Sequence, residues 1–431
     1  MTYREGHLPN LEAFFLFFII IQPILDVTAF FQLPIAQPVR VLAMALGVLY
    51  IALYQNKNVR NGFLIYLVIM GVFLLSHFII SYLYKPTFVL SVEVTYLTKT
   101  AYFFVMLFTY ILVVRTIAKR TNWQLLIQRN IFIGMSVIGI VMLLASLTGT
   151  GKRSYDSLAK LGHSGWFYSA NELSAILAMG FGIMLMYVLN RHKPNVKLML
   201  IPSVVIIIWA TLTVGTKVGL GALIITLVAS MIIAFTEWST KKAWLNIFVL
   251  LPMLIGTFSA IPLTPVGNNL GFAMSKVKQP IVVEDQSLEE EKTKEMSTKP
   301  LLSGRGDFLQ VKINQYQNAP VIQKLFGMGR GGNYSDIPKL VEMDMIDWFF
   351  SYGMIGFAIL LFPFLYYGWH IVQNGKAIIQ HMDSSTFMVG IVVLLGFGAA
   401  FVAGHVLSSP ASGIYLALFL AYFYQLTVSM E

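Results

Sequence analysis

Apolar residues run in long blocks along this chain, and polar residues gather between the blocks rather than alternating within them. Twelve blocks lie at about 12–33, 37–54, 61–84, 99–117, 130–148, 170–190, 198–214, 218–236, 244–261, 345–367, 386–404 and 411–429. Each is close to the ~20 residues that cross a bilayer as a helix. Their continuity selects helices over the alternating strands of a barrel. The pattern predicts an all-α, polytopic transmembrane bundle of about twelve helices. It divides the chain into nine helices over residues 1–261, one large loop with short helices over 262–343, and three helices over 344–431.

Composition agrees. The chain has 431 residues, of which 57% are hydrophobic and only 12% charged. That charged share is about half of what a soluble domain carries. The first block, near Phe14, lacks a small-residue cleavage site and reads as a retained membrane helix. Cysteine is absent, which excludes disulfides, thiolate nucleophiles and cysteine metal sites. The net charge is +10. Most basic residues flank apolar blocks, where they orient helices, so nucleic acid is not implied.

Orientation follows from those residues. Lys57, Arg60, Lys119, Arg120, Arg129, Arg191, Lys193, Lys197, Lys241, Lys242 and Lys376 fall on one side of twelve spans. That side is predicted to be cytoplasmic, together with both termini, and the large loop to be extracytoplasmic. Lys85, Lys99, Lys152, Arg153, Lys160 and Lys217 lie on the disfavoured side, and positive charge there calls for another reason.

The large loop changes character along its length. Its middle, "VVEDQSLEEEKTKEMSTK", is densely charged. Beyond Pro300, "GDFLQVKINQYQNAPVIQKLFG" has helical spacing at Phe308, Val311, Ile313 and Tyr316, with Arg305 just before it and Asp307 or Ser303 as caps. Gly304 and Gly306 would let the backbone turn beside Arg305. The triplet Arg305-Gly306-Asp307 is a cell-adhesion sequence elsewhere, but three residues recur by chance.

The candidate chemistry collects on the predicted outer side. It comprises "GKRSYDSLAKLGHSGWFYSANELSAIL" from Gly151, the turn "TVGTKVGL" with Lys217, the Arg305 stretch with "FGMGRGGN", the segment "VEMDMIDWFFSYGMIG" with Glu342, Asp344 and Asp347, and "GHVLSSPASG" with His405. Arginine's fork and lysine's point charge suit phosphate oxygens. A nearby carboxylate can take a proton from an attacking hydroxyl. This is the minimum equipment for moving a sugar from a lipid diphosphate to an acceptor sugar. No group of histidines and acids has metal-ligand spacing, so neither a metal nor another cofactor is expected.

In their order, "GWFYSANELSAIL", the Lys217 turn, "SGRGDF", "LFGMGRGG", an acidic helix start running into "YGMIG", and "GHVLSSP" resemble the O-antigen ligase and Wzy-type polysaccharide polymerase family of membrane glycosyltransferases. The resemblance implies a GT-C-like helical fold and metal-independent, inverting transfer outside the cytoplasmic membrane. It implies a polyprenyl-diphosphate-linked glycan donor (undecaprenyl diphosphate in bacteria) and a glycan acceptor. A flippase and a chain-length regulator would be further partners, and capsule, exopolysaccharide or a cell-wall polymer the product. There are two departures. Thr216-Lys217 stands where family ligases carry Ser-Arg. Eleven residues before Gly353, where they carry histidine, this chain has Glu342. A carboxylate base, Glu342 or Asp344, would replace that histidine, which favours a polymerase over a ligase.

Each candidate also has a plainer reading. Asp344 and Asp347 share a helix face and would be favoured by the helix dipole in any case. Lys217 could anchor a helix end by snorkelling. Arg153 could bind lipid headgroups, Asn171 and Glu172 could cap their helix rather than line an acceptor site, and His405 could bond a backbone carbonyl. "GMGRGG" follows no strand, which makes it a turn rather than a dinucleotide loop. Asp26 lies inside the first span and is expected to pair with Arg40. A transporter of lipid-linked sugars is the competing class, but such proteins often show internal repeats and midplane charge, and no repeat is visible here.

Overall fold

Continuous apolar runs form helices in a membrane because only a helix satisfies every backbone polar group within one segment. The computed structural model describes residues 9–119, 122–157, 159–278, 305–334 and 340–428. The first nine helices are α1 (Pro9–Phe30), α2 (Ala36–Leu53), α3 (Lys57–Tyr84), α4 (Leu90–Ile117), α5 (Trp123–Leu147), α6 (Ala170–Leu189), α7 (Pro194–Val214), α8 (Lys217–Thr236) and α9 (Lys241–Ala260). Three shorter ones follow: α10 (Pro265–Lys278), α11 (Arg305–Asn318) and α12 (Val321–Phe326). The last are α13 (Asp344–Gln373), the short α14 (Gly375–Gln380), α15 (Ser384–Val402) and α16 (Pro410–Val428). Twelve of these are long and apolar enough to cross a membrane, and among the described residues no strand forms beyond a lone bridge between Arg153 and His163.

The sequence pattern and the helices differ at informative places. The block at 99–117 is only the inner part of α4, which begins at Leu90. Its polar first turns are tolerated because Glu93 is buried in an ion pair with Lys85. α2 forms despite Pro38, which sits in its first turn, where a backbone N–H has no helical partner to lose. Arg305 is the first residue of α11 rather than the residue before it, and Gly306 lies inside the first turn with open space where a side chain would go. No tight turn there requires Gly306. Ser303, Gly304 and the charged middle of the large loop lie outside the described residues.

α4, α6 and α16 are buried almost all round and form the centre of the bundle. α3 instead turns Ile65, Val68, Val72 and Leu75 outward, as expected of a helix facing lipid. Asp26 of α1 and Arg40 of α2 form the predicted ion pair.

One helix is broken where it meets the loop. Gly353 has φ 69° and ψ −174° inside α13, which kinks there. The break leaves the carbonyls of Phe350 and Ser351 without helical partners. The Gly327–Gly329 turn supplies them: Met328 N–H donates to Phe350 O at 3.1 Å and Gly329 N–H to Ser351 O at 3.1 Å. A Cβ on Gly353 would stand 2.5 Å from Gly327 N and 2.6 Å from Leu325 O. Gly353→Ala is therefore expected to destabilise the protein by at least the roughly 1–3 kcal/mol of such backbone strain. Gly368→Ala on the same helix, with nothing within 4 Å of its added methyl, should be neutral. Equal thermal unfolding midpoints for the two variants in detergent would contradict this account.

Candidate active site

The segments singled out in the sequence meet at one end of the bundle. α11 begins there, and its first residue reaches across to α15. Arg305 Nη1 donates to Val402 O at 2.6 Å, and Nη2 donates to Ala403 O at 3.2 Å and to Glu342 Oε2 at 3.3 Å. A cation at a helix C-terminus completes carbonyls that the helix leaves unpaired. Arg305 therefore does two things. It caps α15 and it holds the carboxylate of Glu342, 37 residues away in sequence.

Glu342 is unusual in its backbone. Its φ is 65°, a left-handed conformation that costs a non-glycine residue energy unless its surroundings enforce it. Asp347 is the enforcing group. Its Oδ1 accepts from Val341 N–H at 2.8 Å, and its Oδ2 accepts from Glu342 N–H at 2.9 Å and Met343 N–H at 3.1 Å. Asp344 does the same for the next loop. Its Oδ1 accepts from His405 N–H at 3.0 Å and Ser408 Oγ at 2.7 Å, and its Oδ2 accepts from Val406 N–H at 2.7 Å and Leu407 N–H at 2.8 Å. His405 is left-handed as well, with φ 59°. A Cβ on Gly404 would stand 2.6 Å from the carbonyl carbon of Glu342, so the two loops press together.

The three acids thus divide. Both oxygens of Asp344 and of Asp347 are occupied by loop donors, and both residues are buried. Glu342 keeps 43% of its side chain exposed, and its one described partner is a guanidinium. Of the carboxylates named as candidate bases, Glu342 is the one open to an incoming hydroxyl. The imidazole of His405 has no partner among the described residues, so it is free to face a ligand.

Lys217 is exposed at the first position of α8, after a cap by Thr216 and a left-handed Gly215 with φ 79°. Its turn is tied to the 151–167 segment. Tyr155 Oη donates to Gly215 O at 3.0 Å, and Asn269 bridges Leu161 and Gly215 through its amide. Burial pushes the Tyr155 phenol above its ordinary value, and the cation of Arg305 opposes that rise. Arg153 is exposed, and its guanidinium bonds the carbonyls of Ser157 and Lys160, so it closes its own loop.

Asn171 and Glu172 form the first turn of α6, capped by Ser169. Glu172 lines a cavity of about 460 Å³ together with Asp26, Arg40, Lys99, Tyr102 and Tyr168. Ser409 and Pro410 form part of its wall, and they directly follow the His405–Ser408 loop that Asp344 holds. The loop that Asp344 holds therefore leads directly into the cavity wall. Lys99 and Arg40 were legible only as misplaced charge and as an ion-pair partner. Their meeting in one cavity depends on how α2 packs against α4.

A second carboxylate, Glu93, fixes the glycine-rich turn, as that segment's reading as a turn requires. Its Oε2 accepts from Arg330 N–H at 3.0 Å, and Lys85 donates to Arg330 O at 2.7 Å. Burial pulls the Lys85 ammonium below its ordinary value, against the pull of Glu93. The sequence held no signal for this pair beyond one lysine on a disfavoured side. Among the described residues no group of three or more His, Asp or Glu is placed to hold a metal ion.

The end of the bundle thus carries cations, one open carboxylate and a cavity that runs between membrane helices, an arrangement suited to an anionic amphiphile and a hydroxyl nucleophile. No curated protein matches the chain. A family model described as "O-antigen ligase like membrane protein" matches residues 9–431. Over essentially its whole length, the chain belongs to the O-antigen ligase-like family of multi-pass membrane proteins.

Proposed function

We propose that this protein polymerises polyprenyl-diphosphate-linked oligosaccharide repeat units, transferring a glycan from the lipid diphosphate to the hydroxyl of an acceptor glycan. Family membership supports a membrane enzyme that transfers glycans, and it weighs against the transporter reading. The observation that carries the finer reading is the Arg305–Glu342 pair, held on two loops by Asp347 and Asp344. In this reading Glu342 accepts the proton of the acceptor hydroxyl as that oxygen attacks the anomeric carbon. The bond to the diphosphate breaks, and the leaving diphosphate keeps the electron pair. Arg305 and Lys217 stabilise the charge that develops on it. The cavity lined by Arg40, Lys99 and Glu172 takes the lipid-proximal part of the donor. Glu342 stands at the position where related ligases carry histidine, which favours joining repeat units over transfer to a different acceptor.

The direct experiment uses purified protein in vesicles with a lipid-linked repeat unit. A ladder of products is expected. A single transferred unit would identify a ligase, and no product would remove the reading.

The same proposal places the loop end of the bundle outside the cytoplasm, as the lysine and arginine bias of the opposite loops requires. The chain has no cysteine, so single substitutions report cleanly. Gln317→Cys, exposed on α11, is expected to react with a membrane-impermeant maleimide in intact cells. Lys57→Cys, at the start of α3, should react only after permeabilisation. The reverse pattern would invert the topology.

A further inference from the structure

The cavity of about 460 Å³ between α1, α2, α4 and α6 carries polar groups that the fold leaves unused. Its charged lining is two acids and two cations. Asp26 and Arg40 are spent on each other, and Arg40 Nη2 also donates to Gln22 Oε1 at 3.3 Å. Lys99 and Glu172 differ. Lys99 feels the charge of Glu172, yet no ion pair joins them, and neither side chain has a hydrogen-bond partner among the described residues. Tyr102, three residues after Lys99 on α4, shares its helix face. That tyrosine is 97% buried, and its hydroxyl meets no donor or acceptor.

A buried polar group without a partner is costly to a fold. An unused phenol, ammonium and carboxylate around one cavity point to a ligand that completes them. Their needs differ, since the ammonium only donates, the carboxylate only accepts and the phenol does either. Sugar hydroxyls meet all three, because each of them donates and accepts. Tyr168 adds an aromatic surface that is 70% exposed, and Lys152 fixes it with Nζ 3.8 Å from the ring centre. The C–H face of a sugar ring packs on such a surface by dispersion and burial. An anion is poorly served, because the two acids cancel the two cations.

We infer that this cavity binds an uncharged sugar of the lipid-linked donor, the unit next to the diphosphate, with Lys99, Tyr102 and Glu172 holding its hydroxyls and Tyr168 its face. The inference rests on the transfer reading given above, and it narrows the lipid-proximal part of the donor to a sugar rather than a phosphate. One loop joins the two places. Gly404 packs against the backbone of Glu342, Ser408 is held by Asp344 at 2.7 Å, and Ser409 and Pro410 form the cavity wall. Lys99 thereby gains a reason to lie on the side where basic residues are disfavoured, and the cavity becomes a place where donors are selected by sugar.

The test compares two probes on the full protein in vesicles: the native lipid-linked repeat unit, extracted from producing cells, and farnesyl diphosphate, which has no sugar. Tyr102→Phe removes a hydroxyl that has no partner in the chain, so the unfolding midpoint should not fall. Its binding of the lipid-linked unit should weaken about fivefold. Glu172→Gln keeps shape and removes a charged acceptor, and should weaken that binding about tenfold. Farnesyl diphosphate should bind wild type and both variants within about twofold. A phosphate in the cavity would give the opposite sign, because removing the repelling charge of Glu172 would tighten farnesyl diphosphate. That tightening, or unchanged binding of the lipid-linked unit by both variants, overturns the inference and leaves transfer intact. Sugar-dependent binding that both variants weaken, in a protein that transfers nothing, would keep the cavity site and remove the transfer reading.

Discussion

Replacing Arg305 with alanine is expected to slow glycan transfer by about 10²–10³-fold, the usual cost of removing one preorganised donor from developing charge. The leaving diphosphate gains charge as the glycosidic bond breaks, so a fixed guanidinium helps the transition state more than the ground state. Arg305→Lys keeps the charge but loses the fork that reaches Val402 O, Ala403 O and Glu342 together, so it should also be strongly impaired. The side chain also caps α15, and thermal unfolding of each variant separates that role from catalysis. The measurement is polymer formed per minute from lipid-linked units by folded, vesicle-inserted protein. Wild-type rates in both variants would reduce Arg305 to a helix cap.

The second large effect concerns the acids, which should behave differently from one another. Glu342→Gln keeps shape on a side chain that is 43% exposed, so folding should be nearly unaffected. Turnover should fall by about 10²–10⁴-fold if the carboxylate is the general base. Asp344→Asn and Asp347→Asn should act through structure. Each aspartate uses both oxygens as acceptors for backbone N–H groups, and an amide turns one of those oxygens into a donor facing donors. Each orphaned buried donor costs about 1–3 kcal/mol, so both variants should show lowered unfolding midpoints. A Glu342→Gln protein that polymerises at the wild-type rate, beside an inactive but fully stable Asp344→Asn protein, would move the base to Asp344.

The strain on the two loops belongs to this picture. Glu342 and His405 both hold left-handed backbones, and each is fixed by a buried carboxylate: Asp347 reaches back to Glu342 from the first turn of α13, and Asp344 holds His405 from far away in sequence. Such conformations persist only where the surroundings enforce them, and they cluster at functional sites. The arrangement locks the backbones of two adjacent loops that carry Glu342 and His405, which is what a preorganised site needs.

The twelve spans were legible because a bilayer reads local composition. A run of ~20 apolar residues buries itself whatever its neighbours are. The Asp26–Arg40 pair was legible for a related reason, since an ionisable group inside a span must find a partner and few are in reach. The glycine-rich turn was legible from the missing strand before it. Other features depend on contacts between residues far apart in sequence. The early start of α4 at Leu90 required Lys85 to neutralise a buried Glu93, and the kink at Gly353 required the Gly327–Gly329 turn to supply its hydrogen bonds. Nor does spacing alone tell an open acid from one that braces a loop. In "VEMDMID" the three acids look alike, and only packing turns Asp344 and Asp347 into acceptors for two loops and leaves Glu342 beside Arg305. Sequence fixes which residues must leave water, because that depends on each segment's own polarity. Which charge meets which carboxylate depends on where folded helices place them, and that is decided only in three dimensions.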